Sequence, residues 1–220
     1  MEDPGPEGVV RRVRQGETTE GLAAAHHHFW RTVWMHPRNG ELRALRANPN
    51  VLREGDELFI PPRGPRSESC ATTREHVFRV RGVPSRLTVR CLDLLGRPRA
   101  GEPFVLVGRD LEVRGTVDPD GWVKTSIAPD LTSAVLTVGD PDSVDVETYE
   151  LMLGHLDPVD YLEGVCDRLR NLGYYQGPSI EQPDVALHRA IAQFREDQSL
   201  PESEEVDDGF RQTLVRAHGS

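Results

Sequence analysis

A proline-rich stretch, PPRGPRSES at residues 61–69, places the strongest constraint on how this chain folds. Each proline lacks a backbone N–H and has a fixed φ angle, and the other residues are mostly polar or charged. Such a stretch predicts a linker between a small unit before it and the chain after it. A length of 220 residues leaves room for two or three such units.

A second boundary is predicted at residues 154–158, where the alternation typical of strands gives way to helical periodicity. The predicted fold class is therefore multidomain α+β. We divide the chain into an N-terminal tail (1–8), an N-terminal unit (9–61), a proline-rich linker (62–70), a central unit (71–154) and a C-terminal unit (155–220).

The N-terminal unit reads strand–helix–helix–strand. Residues 9–14 predict a short strand, and Thr18 or Thr19 is suited to cap a helix that includes residues 22–25. A second helix is predicted over residues 39–46 with Asn39 as its N-cap, and a strand over residues 55–61 is stopped by Pro61.

Two segments of this unit, VVRRVRQGETTEGLA and ANPNVLREGDELFIP, resemble the LysM module. Its pattern runs roughly V-x-x-G-D-T-x-x-x-I-A, then N-P-N, then G-x-x-L-x-I-P. The resemblance implies a βααβ fold that binds N-acetylglucosamine chains of peptidoglycan or chitin in a shallow groove. One side of the groove would be Gly16, Glu17, Thr18 and Thr19, and the other Asn48, Pro49, Asn50 and Val51.

These residue types suit a sugar site. Backbone amides and asparagine side chains can hydrogen-bond acetamido and hydroxyl groups, while apolar atoms cover a sugar face. The alternative is that the same glycine and asparagine residues only form turns, which is their commonest role.

Between the two predicted helices the unit departs from a plain LysM pattern with HHHFWRTVWMHP at residues 26–37. Its four histidines suggest a metal site. The run contains no Asp, Glu or Cys, and adjacent histidines on a helix point in different directions, so we expect no metal there. Trp30 and Trp34 would share a helical face. They suit sugar stacking or a core, but a unit of this size has little core, which favours a protein interface.

The central unit is predicted to be all β. Seven short candidate strands, separated by Gly, Pro and Asp turns, indicate a sandwich. They begin near residues 77, 87, 103, 111, 122, 134 and 148. The stretches DLLGRPRAGEPFVL and GTVDPDGWV resemble prealbumin-like or Ig-like modules of bacterial surface and secretion proteins. In such modules residues 118–121 would form a hairpin turn. We prefer this to a calcium site, because two carboxylates fall short of the oxygens that calcium needs.

The C-terminal unit has helical periodicity throughout, with Asp157 and Pro158 as the predicted start of its first helix and Gly173 as its end. It resembles the first type of peptidoglycan-binding domain, a three-helix bundle. The matching residues are Leu169, Leu172, Gly173, Tyr174, Gly177, Ala190, Phe194, Val206, Asp207 and Leu214. The chain departs from this pattern at residues 179–182 and at Arg195, where the family usually has Gln.

Charge and composition exclude several classes of protein. The net charge is −10, and the acidic excess lies after residue 115, so no nucleic-acid partner is expected. No apolar run has the length of a membrane span. The widely spaced Cys70, Cys91 and Cys166 predict neither a disulfide framework nor a zinc site. His155 beside Asp157 is the nearest approach to an acid–base pair, and we interpret it as structural. We expect no enzymatic activity and no cofactor.

The order of the three units resembles that of small proteins encoded beside the spike proteins of type VI secretion and related contractile injection systems. This resemblance implies a non-catalytic accessory protein that binds peptidoglycan glycan. The alternative is an assembly adaptor that joins a spike to a toxin through Trp30, Trp34 and the sandwich, and a third option is a phage-tail or baseplate connector. Residues 1–30 lack the apolar segment of a signal peptide. We therefore expect synthesis in the cytoplasm and delivery outside, or to the periplasm, by the apparatus.

Overall fold

The structure, a computed structural model, describes residues 7–64, 75, 84–93, 95–140, 143 and 145–220. The chain is a mixed α+β protein, as its sequence predicted, and this part of it contains antiparallel sheets and six α-helices. The N-terminal unit contains, in order, β1 (Val9–Arg12), α1 (Thr19–Ala25), α2 (Trp30–Trp34), a 3-10 turn (Pro37–Asn39), α3 (Gly40–Leu45) and β2 (Glu57–Ile60).

The two strands of the N-terminal unit pair antiparallel, with Val9 opposite Ile60 and Arg12 opposite Glu57. Helix α1 begins after Thr18, whose Oγ1 accepts a hydrogen bond of 3.0 Å from Gly21 N, so the predicted cap is confirmed. The run at residues 26–37 forms α2, so three helices rather than the predicted two connect the strands.

Asn39 precedes α3 but does not act as the predicted side-chain cap. Its amide donates to the carbonyl oxygens of Val33 (2.7 Å) and Phe59 (2.8 Å), and its Oδ1 accepts from Phe59 N (2.8 Å). The side chain is buried, and its three hydrogen bonds connect α2 to β2. These bonds satisfy both its amide donor and its amide oxygen in the interior.

The core of the N-terminal unit includes a tryptophan that the sequence analysis assigned to an interface. Trp34 is 6% exposed and packs in one cluster with Val33, Leu42 and Leu58, and Trp30 lies half-buried against the same cluster. The extra helix α2 provides the apolar surface that a two-helix module lacks. Trp34 is therefore a core side chain in this structure.

The central unit has two antiparallel sheets around one hydrophobic cluster, which contains Val123 from one sheet and Leu106 and Leu136 from the other. Six of the seven predicted strands are present, and the candidate at residues 77–80 lies outside the described residues. The two-stranded sheet pairs β3 (Ser85–Arg90) with β6 (Trp122–Ile127). The four-stranded sheet has the order β5 (Leu111–Thr116), β4 (Pro103–Gly108), β7 (Ser133–Val138), β8 (Glu147–Met152).

In the turn before β6, the carboxylate of Asp118 stabilises the backbone. Asp118 Oδ1 accepts from the backbone N–H groups of Asp120 (3.0 Å) and Trp122 (2.8 Å), and Lys124 Nζ lies 2.8 Å from Oδ2. These donors lower the pKa of Asp118, with Lys124 contributing most. Gly121 has a φ of +87°, as the predicted tight turn requires.

The C-terminal unit contains three helices around a separate cluster that includes Phe194 and Phe210. The first helix starts later than predicted, at Leu162, because residues 158–161 form a turn, while Gly173 has the expected positive φ of +85° after its end. The helices are α4 (Leu162–Asn171), α5 (Val185–Asp197) and α6 (Asp208–His218), and Asp184 and Asp207 cap the last two through their side chains.

Two buried arginines tie loops to helices in this unit. Arg195 is 2% exposed and donates to the carbonyl oxygens of Pro201 (3.0 Å) and Glu205 (2.6 Å) and to the Asp207 carboxylate (2.6 Å). Arg168, equally buried, donates to backbone carbonyls that include Asp157 (2.8 Å), and burial lowers its pKa to about 10. Arg195 therefore has a structural role, at a position where the domain that this unit resembles usually has Gln.

Candidate functional site

The two loops that the LysM resemblance identifies lie side by side. The backbone N–H of Thr19 donates to the carbonyl oxygen of Pro49 at 3.0 Å, which joins the start of α1 to the loop before β2. The structure thus brings together residues 16–19 and 48–51, which are about thirty positions apart along the chain.

The first loop is a tight turn closed by its own side chains. Gly16 is buried with a φ of +84°, a conformation that favours glycine. The carboxylate of Glu17 accepts from Arg14 N at 2.9 Å, and the Thr18 hydroxyl caps α1. These three residues use their polar groups mainly to build the turn, which is the alternative role that the sequence analysis left open.

The second loop is shaped by asparagine. Asn48 Oδ1 accepts from Asn50 N at 2.9 Å, and Asn48 O accepts from Val51 N at 3.1 Å. Val51 is buried, while residues 48–50 are half-buried. The loop therefore has a fixed backbone and keeps part of its surface accessible.

Two polar side-chain atoms in these loops have no hydrogen-bond partner. Thr19 Oγ1 and Asn50 Oδ1 are among five such buried atoms in the described part of the chain. A buried polar atom without a partner costs free energy, so it gains when a suitable group reaches it. The hydroxyl can donate or accept a hydrogen bond, and the amide oxygen can accept one.

A segment from the boundary between the central and C-terminal units covers the first loop. A methyl group placed on Gly16 would lie 2.6 Å from His155 Cε1, and one placed on Gly154 would lie 2.6 Å from Gly16 O. Gln15 Nε2 also donates to His155 O at 3.2 Å. His155 Nδ1 lies 3.0 Å from Leu153 O, and since a carbonyl only accepts, Nδ1 carries the proton in this contact.

The same boundary segment reaches the residues that follow the second loop. The Arg53 guanidinium lies 3.6 Å from the centre of the Tyr161 ring, and its Nη2 is 3.6 Å from Glu163 Oε1. Arg46, held by two hydrogen bonds of 2.9 and 3.1 Å to Asp56, lies 5.4 Å from the same ring. The guanidinium groups of Arg53 and Arg46 lower the pKa of the Tyr161 hydroxyl.

The central unit also touches the start of α1. The Ser85 hydroxyl donates to the Glu20 carboxylate. A methyl group placed on Gly21 would lie 2.9 Å from Pro129 O. The N-terminal unit thus contacts both other units through the end that carries the candidate loops.

The histidines of residues 26–37 serve the N-terminal fold. His26 is buried, and its pKa is lowered, first by burial and then by the positive charge of Arg11. His28 Nε2 lies 2.9 Å from Pro61 O, and the His36 ring packs 4.7 Å from that of Phe59. Among the described residues, no group of histidine, cysteine and acidic side chains is arranged to hold a metal ion.

His155 and Asp157, the candidate acid–base pair, have different surroundings. His155 packs on Gly16, while the pKa of Asp157 is raised by its burial and by the carboxylates of Asp167 and Glu163. Cys91 and Cys166 are buried free thiols whose pKa values burial raises, and Cys70 lies outside the described residues.

A shallow pocket of about 450 Å³ lies elsewhere, in the C-terminal unit, and its lining includes Asp160, Asp208, Arg211 and Arg216. Its acidic and basic groups balance, and no predicted site residue lines it. None of the helices in the described residues combines the length and apolar character needed to cross a membrane.

Sequence reasoning missed the boundary residues at the candidate site. The sequence suggests His155 only as a partner for Asp157 and indicates no role for Arg53 or Tyr161. The positions of Gly16 and Gly154 were a partial signal, because glycine often marks a close approach of two backbones.

Comparison with known proteins gives no match: no family model, no curated protein and no solved structure matches this chain.

Proposed function

We propose that this protein is a non-catalytic glycan-binding accessory protein of a type VI secretion or related contractile injection system. Its N-terminal unit is a LysM-like module that binds N-acetylglucosamine chains, its central unit an Ig-like or prealbumin-like sandwich, and its C-terminal unit a peptidoglycan-binding-like bundle. The assignment to a secretion apparatus rests on the resemblance of the unit order.

One observation carries the glycan assignment: two unpartnered oxygens, Thr19 Oγ1 and Asn50 Oδ1, lie in two loops joined by a hydrogen bond. An acetamido group has one N–H donor and one carbonyl acceptor. The Asn50 oxygen can accept from the N–H, and the Thr19 hydroxyl can donate to the carbonyl, so the two atoms have the hydrogen-bonding types that complement the group distinguishing N-acetylglucosamine from glucose.

The test is calorimetric titration of the full chain with the N-acetylglucosamine hexamer, together with co-sedimentation on insoluble peptidoglycan. Binding should persist at 0.5 M salt because the sugar is neutral. Asn50→Ala should weaken it about tenfold, the loss of roughly one hydrogen bond in a desolvated site. Gln193→Ala, an exposed change on α5, is the matched control. A wild-type chain that binds neither glycan would overturn the proposal.

A second candidate, the assembly adaptor, is favoured by the outer face of the four-stranded sheet. Val107, Val135 and Met152 are 46%, 39% and 61% exposed on three neighbouring strands, and the register places Val107 opposite Val135. Exposed apolar side chains grouped on one face are typical of protein contact surfaces.

This candidate is tested by co-expressing the chain with each spike protein of its source bacterium and measuring complex mass by light scattering. A defined complex that is lost with Val135→Asp but kept with Thr88→Asp, on exposed β3, supports the adaptor. The absence of a complex with every spike protein argues against it.

A further inference from the structure

We propose that residues 154–161, the docking segment, cover the first candidate loop of the N-terminal unit and are fixed beyond the second, so that glycan and this segment compete for one surface. This inference rests on the proposed glycan function. It makes the protein a closed form whose glycan site is exposed when the N-terminal unit separates from the docking segment.

The docking segment lies on the backbone of the first loop rather than beside it. His155 is in contact with Gly16, and Gly154 reaches Gly16 O and the Thr18 methyl group, where an added methyl would lie 2.6 and 3.0 Å away. A sugar ring cannot occupy the same position while these contacts persist. The full burial of Thr19 agrees with a closed site.

The other end of the docking segment holds the N-terminal unit beyond the second loop. Tyr161 receives Arg53 at 3.6 Å and Arg46 at 5.4 Å, and Arg53 also reaches Glu163 at 3.6 Å. The docking segment thus extends from the first candidate loop to the residues that follow the second. A glycan chain that binds both loops would have to enter this same region.

The contacts that join the N-terminal unit to the rest of the chain, here called the joint, are of kinds that can separate. Its contacts are the packing of Gly154 and His155 on the first loop, a glutamine–carbonyl hydrogen bond, an arginine stacked on Tyr161, a partly exposed ion pair and, from the central unit, a serine–glutamate bond. Such contacts are individually weak at a solvated surface. In the described residues each hydrophobic cluster draws its buried members from one unit, so separation at this joint leaves all three cores intact.

Competition has a quantitative consequence. The apparent dissociation constant for glycan equals the intrinsic constant divided by the fraction of molecules in the open form. If the closed form holds about nine molecules in ten, releasing the docking segment raises the apparent affinity about tenfold. By reciprocity, saturating glycan loosens the docking segment.

The experiment compares the wild-type chain with the double variant His155→Ala/Tyr161→Ala, which changes no candidate glycan contact. His188→Ala, a partly exposed histidine on α5, is the matched control. Two quantities are measured for each: affinity for the N-acetylglucosamine hexamer, and amide hydrogen exchange over residues 14–20 and 150–160. Circular dichroism verifies that the variants are folded.

We expect the double variant to bind the hexamer about tenfold more tightly than wild type and control, with faster exchange in both segments. Equal affinities in a double variant that exchanges faster would overturn the competition. Unchanged exchange would overturn the docking itself. Faster exchange with no hexamer binding by any chain would overturn the proposed glycan function while leaving the docking contact established.

Discussion

The N-terminal and C-terminal units both resemble modules that bind cell-wall glycan in their sequences, yet the residues singled out by the two resemblances use their polar atoms differently. In the N-terminal loops Thr19 Oγ1 and Asn50 Oδ1 lie buried without partners. In the C-terminal unit the departure from the family pattern, Arg195, is directed inward and holds the chain from Pro201 to Asp207 with three hydrogen bonds.

This difference distinguishes two loops that offer oxygen atoms to the proposed glycan from a side chain whose hydrogen bonds hold the fold. Arg195 donates through both terminal nitrogens of its guanidinium to two loop carbonyls and the α6 cap, while its Nε has no partner. The loops at residues 16–19 and 48–51 hold their backbone through other atoms and leave two oxygens for a ligand. Glycan binding is therefore expected from the N-terminal unit.

The largest expected effect is a loss of stability in the C-terminal unit when Arg195 is removed. Arg195→Ala removes three hydrogen bonds made by a nearly fully buried side chain and should lower the free energy of unfolding by about 3 kcal/mol. Urea denaturation measures it, with exposed Arg189→Ala on the same helix as control. Arg195→Gln, the usual family residue, should restore part of the loss. A midpoint equal to that of the control would contradict the structural role.

The second effect concerns a satisfied polar group in the N-terminal unit. Asn39→Ala removes three buried hydrogen bonds to Val33 and Phe59 and should cost about 2–3 kcal/mol. Asn50→Ala, whose amide oxygen has no partner, should leave stability nearly unchanged. Tryptophan fluorescence during urea unfolding reports both, since Trp30 and Trp34 lie in this unit. Equal losses in the two variants would refute the distinction.

The third effect is the pH dependence of the C-terminal unit. Burial, followed by the charge of Arg168, lowers the pKa of His218 to about 4 in the folded chain, against 6.5 for an ordinary histidine. The folded state therefore binds fewer protons than the unfolded state between these values. Stability present above pH 6.5 is lost as the pH falls toward 4, by about 2 kcal/mol.

His218→Gln isolates this contribution. The stability difference between wild type and variant should shrink as the pH is lowered from 7 to 4, because only the wild type gains a proton at this site on unfolding. Thermal or urea denaturation across that range measures it. Parallel pH curves for the two chains would contradict the assignment.

The smallest effect separates two adjacent threonines. Thr19→Val removes an unpartnered hydroxyl and should stabilise the N-terminal unit by about 0.5–1 kcal/mol while weakening glycan binding. Thr18→Val removes the α1 cap and should destabilise it by about 1 kcal/mol. Denaturation and hexamer titration of both variants give the signs. If Thr19→Val were destabilising, its hydroxyl would have a structural partner.

Local features were predictable from the sequence because their causes lie within a few residues. The Thr18 cap, the turn at Gly121 and the positive φ of Gly173 each depend on neighbours in the chain. Asn39 is the N-cap residue of α3 as predicted, but its side chain does not cap the helix because it bonds Phe59, twenty positions away.

The features that could not be predicted from the sequence depend on contacts between residues far apart in the chain. Trp34 enters a core to which α1, α3 and β2 also contribute, and Arg195 is stabilised by a loop that its own helix does not specify. At the candidate site, the family pattern pointed to the two loops. Nothing in it indicated His155, which meets Gln15 from 140 positions away.

The pairing of β1 with β2 has a mechanical consequence. Val9, the first residue of β1, lies opposite Ile60, the last residue of β2. The chain therefore enters and leaves the N-terminal unit at the same end of this strand pair. A pulling force applied through the flanking chain would load this pair first and then peel the remaining pairs one after another, rather than shearing all of them together. Tension along the chain would therefore open this unit at low force.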